Sequence, residues 1–326
     1  MTFAAGWLAI FLTGCFPADL ATRGAPDSAV QTMIFELPPV ELPAGTSIHV
    51  NTPAQFEKVA LAGWVHGFDV TLRDGAGREL PRELLHHTQV MLPGQRELLH
   101  PIMLRLVGAG SETDTKSLPA QLGFHVMPGD SLLLVAMLHN PTGRDYGDVR
   151  VRLHLQFSTT GPWRPPLDVF PFFTHVIAPP GEPAYDLPSG ESERTLDIRF
   201  PVSGKILALG GHLHTYGHSL TLEDGETGES LWESVAAKDA DGIVREIPHD
   251  IFIWSGGLGV EAERTYRFRV RYDNPGASIP DGGMGTLGGV FLPDGAWPAV
   301  DPNHPVYQWD WAKNTTAPGA HEHVIE

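Results

Sequence analysis

Cysteine is nearly absent: the 326 residues contain one, Cys15. A lone thiol excludes an internal disulfide framework, so stability has to come from packed cores. Basic residues are also scarce. Lys and Arg number 22 against 39 Asp and Glu, a formal net charge of −17. No Lys/Arg cluster stands out, and this argues against nucleic acid, because a phosphate-binding surface needs clustered cations. Sustained helical periodicity is missing as well. What is present is a 42% hydrophobic, 19% charged chain with 36 Gly and 29 Pro. That composition permits a core and matches β-rich proteins with many turns.

The context of Cys15 is informative. An apolar run from Ala4 to Thr13 ends in Leu12-Thr13-Gly14-Cys15, which resembles a bacterial lipoprotein signal. The run is too short to span a bilayer. The first residues, Met1-Thr2-Phe3, lack the Lys or Arg usual in such signals. The resemblance implies a signal peptide over residues 1–15, lipid on Cys15, a polar linker over 16–32, and a protein tethered in the bacterial cell envelope. The lipid anchor would be its contact with the membrane.

From Met33 onward short apolar stretches alternate with turn signals such as Pro43-Ala44-Gly45 and Asp74-Gly75-Ala76-Gly77, a pattern of strands. Pro81 to Leu85 allows one helical turn at most. The Gly- and Pro-rich stretch Ser158 to Pro166 breaks the series and marks a boundary. A second β series follows, with a hairpin turn at Asp224-Gly225-Glu226-Thr227-Gly228. The expected fold is all-β: two tandem β-sandwich domains over 33–160 and 161–300, then an irregular tail over 301–326.

Histidines punctuate both series. His212 and His214 follow the apolar run Ile206 to Leu209, and in a strand such i, i+2 residues share a face, half of a metal site. His86 and His87 are adjacent, so a regular strand would point them apart; they require a strand end or a kink. His139 ends the run Leu132 to Leu138. Met284 sits among glycines ahead of a strand, where core packing explains a thioether poorly. Two imidazoles with a thioether select copper, particularly Cu(I). Three imidazoles suit copper and zinc equally. His218 could stand behind His214, and His321 and His323 read as a solvated tail.

In order and type, these residues resemble the copper type II, ascorbate-dependent monooxygenases, the family of peptidylglycine α-hydroxylating monooxygenase and dopamine β-monooxygenase. Leu118 to Phe124 and Val176 to Gly181 resemble family segments as well. The resemblance implies two jelly-roll-like domains facing a shared, solvent-filled cleft. It implies two copper ions, one on His86, His87 and His139 for electron transfer. The other, on His212, His214 and Met284, would form the catalytic centre. Dioxygen, a small organic substrate and ascorbate or another one-electron reductant would be the reaction partners. The chain departs from the family in lacking disulfides. It also departs where the peptide hydroxylase holds a substrate carboxylate: those positions are Gly210, Thr286 and Gly288, so peptidylglycine is not the expected substrate. The alternative is a non-catalytic copper-binding or partner-binding envelope lipoprotein of the same fold. Other His-X-His folds fit less well, since a cupin-type Glu and a metallo-β-lactamase-type Asp are missing after His214.

Overall fold

A computed structural model describes residues 30–113, 116–159 and 166–316, and its architecture is all-β, two tandem sandwiches. The first pairs a seven-stranded with a five-stranded sheet; the second pairs a six-stranded with a four-stranded sheet. Alternation builds them. In the strand Tyr146–Ser158, Val149, Val151, Leu153 and Leu155 are buried while the residues between them are not. These side chains meet Val90, Leu92, Leu104 and Leu134 of the facing sheet in one core. In the second sandwich Leu209, Leu213, Leu287 and Phe291 face Leu220, Leu222, Phe268 and Val270.

The expected turn before His86 is present as a short 3-10 segment, Arg82–Leu84, and the hairpin at Asp224 closes with Gly228 N–H donating to Asp224 O at 2.8 Å. The crossing between sandwiches is short. Leu167–Asp168 pairs in parallel with Leu122–Gly123 of the first sandwich, and Phe170–His175 then opens the second. Val169 between them packs with Leu122, Leu207 and Ile253, contributed by both halves. Trp297 stacks on Phe170 at 4.1 Å and donates its indole N–H to Arg96 O at 2.7 Å.

The tail departs from expectation. Within 301–326, Pro305–Thr315 is an α-helix, capped by His304, whose Nδ1 accepts from Val306 N–H. The helix returns to the first sandwich, where Tyr307 packs with Met91, Met103 and Leu133. Asp310 accepts from Met103 N–H at 3.0 Å and receives the Arg105 guanidinium through both oxygens. The buried face is therefore partly a carboxylate, so no apolar periodicity announced the helix. Replacing Asp310 by Ala would strand a guanidinium that is only 9% exposed. It is expected to cost about 3–5 kcal/mol of stability, measurable as a lowered urea midpoint; a midpoint within error of the parent would show the pair to be dispensable.

Candidate metal centre

The first-domain histidines lie where sheet pairing is irregular. Along the strand Leu85–Arg96, Leu85 pairs with Leu138 and His87 with Met137, so His86 is an extra residue, a β-bulge. The bulge supplies the kink that adjacency demanded: the His86 and His87 rings lie 4.0 Å apart. On the other side of the Ser131–Asn140 strand, Leu138 pairs with Val50 but Asn140 with Thr46. His139 and His49 fall in that second irregularity. His49 stacks on His86 at 4.2 Å, and His139 lies 5.4 Å from His86. Nitrogens of His49, His86 and His139 come within 4.8 Å of one another. His139 Nε2 donates to Glu83 O at 2.7 Å, so its Nδ1 carries the lone pair.

This set differs from the expected His86, His87 and His139. His49 takes a place in it, and His87 turns toward the second sandwich. Sequence reading passed over His49 because it stands alone in a short strand. Only the local slip in pairing brings its ring to His86.

In the second sandwich the strand Gly204–Leu213 pairs His212 with Thr286 and Leu213 with Gly285. His214 lies just past the strand end. The chain turns there, with Gly217 N–H donating to His214 O and Tyr216 in the left-handed region at φ 67°. His212 and His214 were expected on one strand; instead His214 falls past its end, and the chain crosses at this turn into the opposite sheet as Gly217–Asp224. His218, placed by that crossing on the four-stranded sheet, is exposed and outside the cluster.

Tyr272 organises the end of this strand. Its buried hydroxyl accepts from His214 N–H and from Met284 N–H, each at 3.0 Å, and donates to Met284 O. His214 and Met284 each follow the Leu213–Gly285 pair outward along their strands. Hydroxyl and ladder together fix the two backbones side by side. Met284 is buried at 8% exposure.

The two histidine sets touch. Ring centroids lie 4.9 Å apart for His87 and His212, 5.6 Å for His86 and His214, and 6.0 Å for His87 and His214. Nitrogens of His86, His87 and His214 also come within 4.8 Å of one another. The expected solvent-filled gap between two separate sites is therefore replaced by one continuous cluster. Glu112 of the first sandwich accepts from His212 Nδ1 at 2.7 Å.

Burial keeps the rings neutral. Desolvation is the largest influence on His86, His87, His139 and His214 and holds each below the ordinary imidazole value, His214 at about 3. Neighbouring imidazoles push His86, His87 and His214 the same way. His175, whose Nδ1 meets Thr286 Oγ1 at 2.8 Å, is also held by burial at about 3. At Glu112 burial alone would raise the carboxyl, but the His212 imidazole against it holds it below the usual range.

The Nε2 atoms of His87, His212 and His214 are buried with no hydrogen-bond partner. Buried nitrogens without partners are rare. Burial favours the neutral form of His87 and His214, and the other ring nitrogen of His212 is anchored by Glu112, as His139 outside this trio is by the Glu83 carbonyl, in the manner of metal-binding histidines. Imidazole donors suit copper, and the clamp on its backbone sets Met284 beside His214.

No protein-family model matches the chain, nor does any curated protein. Among solved structures it is similar to the peptide-N(4)-(N-acetyl-β-D-glucosaminyl)asparagine amidase, at 11% identity and TM-score 0.42, over 82% of this chain and 98% of that one. It is also similar to the STIV MCP, at 8% identity and TM-score 0.41, over 81% and 96%. The major capsid protein P2 of bacteriophage PM2 gives 14% identity and TM-score 0.35, over 79% and 96%. At these levels the likeness is one of all-β build alone. Cys15, His321 and His323 lie outside the described residues. Among the described residues no helix is long and apolar enough to cross a membrane.

The depressed histidines make stability depend on pH with a definite sign. Unfolded, they bind protons near pH 6.5; folded, they stay neutral to much lower pH. Below pH 6.5 the unfolded state binds more protons, so stability falls with pH. Glu97, buried and raised from 4.5 to about 7, acts oppositely between those values, but it is one group against several. Metal-free protein should lose stability between pH 7 and pH 5, by up to about 1.4 kcal/mol per pH unit for each buried histidine. Urea midpoints read this, and an unchanged or rising midpoint on acidification would mean that the rings are hydrated.

Proposed function

We propose that the protein is a copper-dependent monooxygenase, hydroxylating a C–H bond of a small organic substrate with dioxygen and a one-electron donor such as ascorbate. The observation that carries this reading is the desolvated cluster itself. His49, His86, His87 and His139 of one sandwich meet His212 and His214 of the other, and the Met284 backbone is clamped beside His214. Bound copper supplies one-electron redox chemistry and a coordination position for dioxygen.

The chain's own residues would hold and orient. The Glu83 carbonyl turns His139 so that Nδ1 is its donor, and Tyr272 keeps His214 and Met284 together. The contact between sandwiches removes water from between the rings, which strengthens every charge interaction there. On the His212 face of its strand, Gly210 pairs with Gly288. Neither residue carries a side chain to clamp a carboxylate; a Cβ on Gly210 would meet His249 Cβ at 3.2 Å, while one on Gly288 would meet only the Phe172 carbonyl at 3.8 Å. We read this as room for a substrate lacking that group. Anchorage in the bacterial cell envelope through lipid on Cys15 belongs to the same proposal.

One observation favours a second reading. With rings of the two domains in contact, the space between the histidine sets is filled, as suits a copper-binding module without turnover. Purified protein decides between them. It should take up about two copper ions per chain and consume oxygen with ascorbate. Met284→Ala should abolish that consumption while the histidine-only site stays loaded. Tyr272→Phe, which removes the shared hydroxyl, should weaken the second copper by about 10- to 100-fold. Copper uptake without oxygen consumption selects the binding module, and no uptake after loading overturns both.

A further inference from the structure

Glu112 is an acidic side chain in direct contact with the cluster, and its surroundings are built. The strand Met103–Gly110 ends with Gly110 paired to His87. The chain then turns, with Thr113 N–H donating to Gly110 O at 3.2 Å and Gly110 N–H donating to Thr113 Oγ1 at 3.0 Å. Arg82 holds the turn from outside: its Nε donates to Ser111 O at 3.1 Å, and a second nitrogen donates to Thr113 O. The Glu112 carboxylate folds back into the space that a side chain on residue 110 would fill. A Cβ there would lie 2.4 Å from Glu112 Oε2.

The carboxylate, 10% exposed, meets His212 Nδ1 at 2.7 Å across 100 residues and across the boundary between sandwiches. An ionised carboxylate only accepts, so Nδ1 carries the proton. In the neutral ring the lone pair is then on Nε2, the atom that is buried without a partner. Glu112 itself joins neither convergent donor group found among the described residues, which makes it a support for a ligand rather than a ligand.

We propose that Glu112 is the positioning residue of the second-domain metal site: reaching over from the first sandwich, it fixes the His212 tautomer that presents Nε2, so that this site is complete only when the two sandwiches are closed. The inference rests on His212 serving as a ligand in the proposed function. It adds a device by which domain closure and metal affinity are one event, since a carboxylate-to-imidazole bond between domains exists only in the closed arrangement.

The test uses the full-length chain and the variants Glu112→Ala, Glu112→Gln and Gly110→Ala. With ring-15N histidine and no metal, His212, identified by the signals lost in His212→Gln, should be protonated at Nδ1 in the parent. Glu112→Ala should shift it toward the Nε2-protonated form. Glu112→Gln, whose amide oxygen can still accept, should keep the parent tautomer. In copper titrations Glu112→Ala should weaken the second-domain copper by about 10- to 100-fold while leaving the His49, His86 and His139 site unchanged, as second-layer partners of ligating histidines do. Gly110→Ala, which displaces the carboxylate without removing it, should reproduce the loss, and Glu112→Gln should lose less. A parent-like tautomer in Glu112→Ala, or parent-like copper affinity there, overturns the proposal. If the parent itself takes up no copper, the copper function fails, and the tautomer measurement still decides whether Glu112 sets His212.

Discussion

Neutral imidazoles packed ring against ring leave lone pairs in a desolvated space, and that constraint governs this molecule. A buried nitrogen without a partner costs about 1–3 kcal/mol, and His87, His212 and His214 each carry one. The surrounding structure accepts that cost and directs it. Glu83, Glu112 and the Tyr272 hydroxyl occupy outlying polar groups of the cluster, so the unsatisfied atoms are those turned toward other rings. A protein selected for stability alone would fill such a space with Leu or Phe, as it does in the two cores on either side.

The sheets deform to allow it. Regular pairing would send His86 and His87 to opposite faces and keep His49 and His139 in simple alternation. The bulge at His86 and the slip between Leu138 and Asn140 break both regularities on the two flanks of one strand. In the second sandwich the strand ends at Leu213 and the chain turns immediately after His214. Thus the ladders supply rigidity up to the cluster, and their interruptions supply the directions of the rings.

Much of this was legible in the sequence, for identifiable reasons. Alternating apolar residues, as in Val149 to Leu155, and turn residues carry the all-β fold locally. His86 with His87 and His212 with His214 are visible as pairs, and adjacency alone demanded the kink that the bulge provides. His49 was hidden because a single histidine in a strand has no distinguishing neighbour. Glu112 and Tyr272 were hidden because each acts on residues of another strand; nothing within a few positions of either names its partner. The contact between the two sets was hidden too, since it depends on how two separately folded sandwiches meet. The helix Pro305–Thr315 escaped because its anchor is the Asp310 carboxylate and not an apolar stripe.

That helix also shapes the order in which the molecule can be made. Arg105 and Asp310 are 205 residues apart, so during synthesis the guanidinium of the first sandwich emerges long before the carboxylate that receives it. Its partner arrives only after the second sandwich has been completed. Docking of the helix then ties the segment after the second sandwich back to the first. The two sandwiches become linked twice, by the crossing at Leu167–Asp168 and by the returning helix. Between those links the halves are packed together: Leu98 of the first sandwich is buried in the second core, and Glu97 accepts from Phe173 N–H at 2.9 Å. The helix therefore holds closed the boundary at which the histidines of both halves meet.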